Sequence, residues 1–262
     1  MTDFLQVFLL GIIEGITEFL PISSTGHLLI AEHWLGARSD VFNVVIQLGA
    51  ILAVVLIYWQ RLLQMVLNFT QADNRDYLLK LMTAFLITAV GGLFAKKLGL
   101  KLPVDIQPVA WALIIGGVFI FAVEWRAKNW SESTRITWAV AIAVGLAQIV
   151  AAVFPGTSRS AATIFAAMLV GLTSRAAATE FAFIVGIPTM FAASAFELLK
   201  LMKDSAVAAH EPMTDLAIGF VVSAVVAFVA VKWLLGYIQT HRFTVFAWYR
   251  IVLGTGLLLI VQ

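Results

Sequence analysis

The sequence predicts an all-α integral membrane protein, and three observations predict it. Of the 262 residues, 61% are hydrophobic and only 12% are charged, against roughly 25% charged in an ordinary soluble domain. Apolar segments of spanning length recur from Phe4 to Val261, leaving no stretch for a separate soluble core. The second half of the chain also repeats the first. The architecture these imply is six transmembrane helices plus two re-entrant helix pairs, arranged as an inverted-topology repeat within a single membrane domain, 1–262.

The six spans fall near 43–59, 78–95, 108–123, 181–198, 216–234 and 245–261. Two further apolar segments, near 4–20 and 136–153, each run into a proline and a polar turn, and a shorter amphipathic stretch follows. The turns are Pro21-Ile22-Ser23-Ser24-Thr25-Gly26 and Pro155-Gly156-Thr157-Ser158-Arg159-Ser160. Irregular backbone at membrane depth survives only where protein buries it or water reaches it. Both turns are therefore expected to face a polar pocket, as the corners of re-entrant pairs.

A shift of about 134 residues places Gly11 on Gly145, Glu14 on Gln148, Pro21 on Pro155 and Ser24 on Ser158, and a shift of about 137 superposes the later spans. The halves run approximately 1–128 and 134–262. If each re-entrant pair returns to its starting side, each half has three spans, so the halves lie in opposite orientations. On that topology one side carries nine basic residues (Arg61, Arg75, Lys80, Arg126, Lys128, Arg135, Arg175, Lys232, Arg242) and the other six (Arg38, Lys96, Lys97, Lys101, Lys200, Lys203). The excess of Lys and Arg on cytoplasmic loops then places both termini outside the cytoplasm.

Composition excludes several classes of function. With no cysteine there is no disulfide, thiolate metal site or cysteine nucleophile. A net charge of +2 with dispersed Lys and Arg is no nucleic-acid footprint. Asp3 stands where a secretory signal would be basic, and Glu14 and Glu18 interrupt the apolar run, so the first segment is expected to be retained.

The chemistry-bearing residues gather at the two turns. Glu14 and Glu18, spaced i,i+4, project from one helix face and, poorly solvated, must share a proton or bind a hard divalent cation such as Mg²⁺ or Ca²⁺. Beyond Pro21, Ser23, Ser24 and Thr25 stand where a new helix offers unpaired N–H groups to a phosphate. Plain N-capping is the competing role for Ser23. His27, three residues beyond Ser24, has the spacing to reach the same side and orient or accept a proton. Ser158, Ser160 and Thr163 supply hydroxyls in the second half. Arg159 is a cation in apolar surroundings whose planar fork matches phosphate, unless an ion pair to Glu14 or Glu18 holds the halves together. Gln148 and Glu180 are expected to support the site with hydrogen bonds from behind.

The remaining charges say less. Glu197 suits a boundary carboxylate, and Arg250 either snorkels or pairs with an acid elsewhere. His33, His210 and His241 have no ligand-like spacing, and Trp34, Trp59, Trp125 and Trp130, near segment ends, suit an aromatic belt.

Glu14-Gly-Ile-Thr-Glu18-Phe-Leu-Pro-Ile-Ser-Ser-Thr-Gly-His27 and Pro155-Gly-Thr-Ser-Arg159-Ser, with Ile46-Gln47-Leu48-Gly49 and Glu180-Phe181, closely resemble the signatures of the undecaprenyl-diphosphate phosphatase family associated with bacitracin resistance. The resemblance covers nearly the whole chain. It implies hydrolysis of a polyprenyl diphosphate at the outer face of the bacterial cytoplasmic membrane, with a divalent cation. Carried over by motif, the functional residues are Glu14, Glu18, Ser24, His27, Ser158, Arg159, Ser160 and Thr163. The sequence departs from the family at Asn43, where relatives often carry an acid. The partners expected are the diphosphate lipid, membrane lipids and, in a homodimer, a second copy.

For the mechanism, in-line attack by Ser24 with Glu18 or His27 as base stands beside attack by a water that Glu18 activates. A lipid-phosphate transporter or flippase is the alternative function, because inverted repeats with broken helices are common in secondary transporters. The chemical inequality of the halves favours an enzyme: at the 134-residue offset Glu18 faces Ala152, His27 faces Ala161 and Arg159 faces Thr25.

Overall fold

The computed structural model describes residues 3–100, 105–203 and 211–260, without the side chains of 201–203; Lys101 and His210 lie outside the described residues. All regular structure among them is helical. In chain order the helices are α1 (Asp3–Thr17), α2 (Ser24–Leu35), α3 (Asp40–Ile57), α4 (Trp59–Leu67), α5 (Ala72–Lys97), α6 (Ile106–Arg126), α7 (Trp138–Val153), α8 (Arg159–Leu169), α9 (Arg175–Lys203), α10 (Met213–Thr240) and α11 (Thr244–Ile260).

Five helices, α3, α5, α6, α9 and α10, are long and apolar enough to cross a membrane, and α11 is an apolar helix of 17 residues. Their outer faces are made for lipid. Val221, Val225 and Val229 form an i,i+4 stripe on α10 that is 56%, 59% and 63% exposed, an apolar surface that water would penalise. The chain is a multi-pass membrane protein.

Several helices outrun the apolar segments that announce them. α5 starts at Ala72 rather than 78 because Asp73 in its first turn and Lys96 and Lys97 in its last complement the helix dipole. α4 has no counterpart among the expected elements. Nine residues are too few for periodicity to declare a helix, yet it buries Met65 while exposing Leu63, Val66 and Leu67.

The helices pack in matched pairs: α1 lies along α10 and α7 along α5, α3 meets both α9 and α10, and α6 lies along α11. Small residues set the closest crossings. A Cβ on Gly15 of α1 would stand 2.7 Å from the Ser223 carbonyl and 2.9 Å from the Ala227 amide of α10, the close backbone approach that small residues permit where lipid removes the hydrophobic drive between helices. Gly15→Leu should wedge α1 off α10 and destabilise the fold by about 1–3 kcal/mol. A lower thermal unfolding midpoint of the detergent-purified variant checks this; an unchanged midpoint contradicts the crossing.

Candidate active site

Both short helices of the second rank, α2 and α8, begin at a serine in an unusual conformation. Ser23 (φ 75°) and Ser158 (φ 69°) are the N-caps and the only non-glycine residues with positive φ among those described. Each hydroxyl accepts from the amide three residues on, Gly26 N at 3.4 Å and Ala161 N at 3.3 Å. Left-handed backbone at a non-glycine residue costs energy and persists where the surroundings over-determine it. The caps leave the first helical amides, those of Ser24 and Thr25 and of Arg159 and Ser160, without intrahelical partners.

The cap pair corrects the expected register by one residue. Ser158 corresponds in structure to Ser23, not Ser24, so Ser24 and Arg159 each open a helix. The reason is one extra residue in the second turn: two positions separate Pro21 from its cap, three separate Pro155 from its own, and Gly156 (φ 88°) absorbs the difference. Any Cβ on Gly156 would stand 2.8 Å from the Val109 carbonyl.

The two turns meet over a cleft of about 40 Å³ lined by Glu18, Ser23, Ser24, Thr25, Ala151, Pro155, Gly156, Ser158 and Arg159. Ser24 donates its hydroxyl hydrogen bond to Glu18 Oε2. Gln47 Nε2 donates to Glu18 Oε1 at 3.4 Å, and Ser194 donates to Gln47 Oε1 at 3.4 Å, so α3 and α9 orient the carboxylate. Arg159 lies across the cleft, and no ion pair to Glu14 or Glu18 is formed within 4.0 Å.

Glu14, 1% exposed, has a buried Oε2 with no hydrogen-bond partner among the described residues. It faces a second, larger cavity of about 460 Å³ whose charged lining is wholly acidic: Glu14, Glu32, Asp40 and Glu197. Asn43 lines it too and donates to Glu32 Oε1 at 2.9 Å. Among the described residues no three His, Cys, Asp or Glu side chains come close enough to enclose a metal.

Other sequence-predicted residues lie elsewhere or are spent on the framework. His27 Nδ1 donates to the Ser23 carbonyl at 2.7 Å, and its Nε2 accepts from the Tyr249 hydroxyl at 2.6 Å, with the rings stacked. Neither ring nitrogen is left for Ser24, because α11 brings a phenol to the side where the i,i+3 spacing aims the imidazole. Ser160 Oγ donates to the Leu20 carbonyl at 2.9 Å, bonding the second turn to the first, and so receives the Ser158 hydroxyl at 3.0 Å. Thr163 Oγ1 donates back to Arg159 O at 2.8 Å. Gln148 bridges Thr88 and Thr189 at 3.1 and 2.8 Å, a neutral and satisfied counterpart of Glu14. Glu180 is absent from the cleft lining; Arg61 of α4 holds it at 3.7 Å.

Sequence reasoning misplaced one residue altogether. Arg250 of α11 is 0% exposed, so it does not snorkel, and it pairs with no acid among the described residues. Its guanidinium donates only to backbone carbonyls: Pro21 of the first turn, Gly156 and Thr157 of the second, and Ala112 and Leu113 of α6, at 3.0–3.3 Å. The signal available in the sequence was an arginine in an apolar segment with no acid of its own. Beside it, Tyr249 and His27 join Ile13, Ile16, Leu20, Ile22, Val245 and Phe246 in lining an apolar groove of about 370 Å³ between α1 and α11.

Such a site defines a class: a multi-pass helical membrane protein in which two helix N-termini, a hydroxyl–carboxylate pair and an arginine meet at one cleft. Residues 7–256 match the family described as Bacitracin resistance protein BacA, and the chain belongs to that family. It is similar to proteins named undecaprenyl-diphosphatase. That of Rhizobium etli is 65% identical over 256 residues, 98% of this chain and 96% of the relative. Those of Stenotrophomonas maltophilia and Xanthomonas oryzae pv. oryzae are each 60% identical over 259 residues, 99% of this chain and 98% and 97% of the relatives.

Proposed function

We propose that the protein hydrolyses undecaprenyl diphosphate to undecaprenyl phosphate and inorganic phosphate, recycling the carrier lipid of peptidoglycan synthesis at the bacterial inner membrane. One observation carries this reading: a serine hydroxyl bonded to a carboxylate stands at one helix N-terminus, with an unpaired arginine at the facing one. The names of the relatives supply the substrate.

Ser24 Oγ attacks the terminal phosphorus as Glu18 Oε2 takes its proton, forming a serine–phosphorus ester and breaking the bridging bond to the inner phosphate. Undecaprenyl phosphate leaves and takes a proton from Glu18. A water, deprotonated in turn by Glu18, hydrolyses the phosphoserine and restores the Ser24 hydroxyl. The amides of Ser24, Thr25, Arg159 and Ser160 and the Arg159 guanidinium stabilise the equatorial oxygens. His27 serves this step indirectly, by holding the Ser23 carbonyl and with it the strained cap.

The buried, unpartnered Glu14 oxygen and the neighbouring Glu18 suit a divalent cation completed by substrate oxygens, since Mg²⁺ is commonly held by one or two carboxylates together with phosphates. Mg²⁺ or Ca²⁺ held there would neutralise diphosphate charge. The apolar groove between α1 and α11, which Ile22 and His27 line beside the first turn, offers the polyprenyl tail a path from the bilayer.

The paired packing, α1 on α10 with α7 on α5, supports two inverted halves, 1–128 and 134–262, with α11 as the sixth span. The nine-to-six excess of basic residues supports both termini outside the cytoplasm, and the family resemblance supports a reaction at the outer face.

The test is phosphate release from a prenyl diphosphate by detergent-purified protein. Release is expected, with loss in EDTA and recovery on adding Mg²⁺ or Ca²⁺. Persistent activity in EDTA would remove the cation from the mechanism. Absence of release with every cation would overturn the enzyme and favour a lipid-phosphate carrier.

A further inference from the structure

We infer that Arg250 is a positioning residue for the reaction: from behind the two turns it ties them together and fixes the Thr157–Ser158 peptide plane so that the Ser158 N–H faces the phosphate cleft. The inference rests on the proposed phosphatase reading and adds to it a residue outside both signature motifs.

The argument starts from the planarity of the peptide. In a trans peptide the carbonyl and the following N–H point in opposite directions, so whatever captures the carbonyl aims the amide. Arg250 captures three turn carbonyls, those of Pro21, Gly156 and Thr157, at 3.0–3.3 Å. The amides paired with the first two are already spent, Ile22 N on Leu20 O at 2.7 Å and Thr157 N on Phe154 O at 3.2 Å. The amide behind the Thr157 carbonyl, that of Ser158, finds no partner among the described residues. Ser158 lines the cleft while Arg250 does not. Holding the Thr157 carbonyl therefore turns the Ser158 N–H toward the cleft, next to the free amide of Arg159.

The same guanidinium anchors this arrangement to a rigid element. Nη2 bonds Ala112 O of α6 as well as Gly156 O, both at 3.0 Å, and Nε bonds Leu113 O at 3.3 Å. Because one planar group spans Pro21 and Thr157, the spacing of the two helix N-termini is set by its fork. Space for it is built into α6: a Cβ on Gly116 would collide with the Arg250 guanidinium. With no carboxylate on it among the described residues, the buried charge also adds positive potential beneath the anion.

Two substitutions test this from opposite sides. Arg250→Lys keeps a cation but loses the fork, whereas Gly116→Ala keeps Arg250 and displaces it. Each variant is compared with wild type for its thermal unfolding midpoint, for turnover of a prenyl diphosphate, and for direct binding of inorganic phosphate to the purified protein. The expected result is folded protein with turnover down about 100-fold, the scale of losing one transition-state donor, and phosphate binding weakened at least about tenfold. Turnover within threefold of wild type in either folded variant overturns the inference, as does lost turnover with phosphate binding unchanged. Should Arg250→Lys fail to fold, a fully active Gly116→Ala overturns it too. If wild type releases no phosphate from the lipid, the phosphatase reading fails, and the binding measurement still decides the role of Arg250.

Discussion

Ser24→Ala and Glu18→Gln should each cut phosphate release on the order of 10³-fold or more, and the double variant should be scarcely worse than either single one. The expectation follows from one contact, the Ser24 hydroxyl on Glu18 Oε2. A serine hydroxyl is a poor nucleophile until an adjacent base takes its proton, and general-base catalysis by a placed side chain is worth about 10²–10⁴. Two groups serving one proton transfer are lost as a unit, so their effects do not add. Initial rates of release from a prenyl diphosphate measure all three variants, and acid quenching with a ³²P-labelled substrate should trap label on Ser24 in wild type. If Ser24→Ala keeps near-normal turnover while Glu18→Gln abolishes it, the attacking group is water and Ser24 only binds.

What was legible in the sequence, and what was not, divides along physical lines. Five of the apolar spans were legible because the bilayer fixes both their length and their composition. The polar turns were legible because broken helices inside a membrane must be buried together, and the structure does bring Ser23–Thr25 and Ser158–Arg159 to one cleft. Glu18 and Ser24 were legible from the motif, six residues apart and hydrogen-bonded across the corner between α1 and α2.

The failures are those of partners distant in sequence. His27 points to Tyr249, 222 residues on, and Arg250 to carbonyls 93 to 229 residues away. Backbone carbonyls leave no residue-type signature, so an arginine that bonds only to them looks like an orphan. The one-residue slip between Ser23 and Ser158 arose in the same way. An alignment of side-chain types set Pro21 on Pro155, but only the backbone reveals that Gly156 adds a position before the cap. Glu180 misled because repeat symmetry relates backbone positions and does not require their side chains to share a task. Arg61 belongs to α4, for which the other half of the chain has no equivalent helix among the described residues.

That slip sharpens the second large effect, at Arg159. With the caps aligned, Ser24 and Arg159 occupy the same position on their two helices, each the first residue beyond a strained serine. In the proposed mechanism one turn brings the nucleophile to a helix N-terminus and the other brings a cation to the same place. Arg159 has no ion-pair partner within 4.0 Å among the described residues, so an arriving phosphate need displace no carboxylate. Arg159→Ala should lower kcat/KM by about 10²–10³, the loss for a single transition-state donor. Arg159→Lys should recover only part of it, because a point charge cannot replace the planar two-pronged contact with phosphate oxygens. Full recovery by lysine would mean that charge alone suffices. Full activity of Arg159→Ala would move the cationic role elsewhere, leaving the helix N-termini and the buried guanidinium of Arg250 to supply the positive potential.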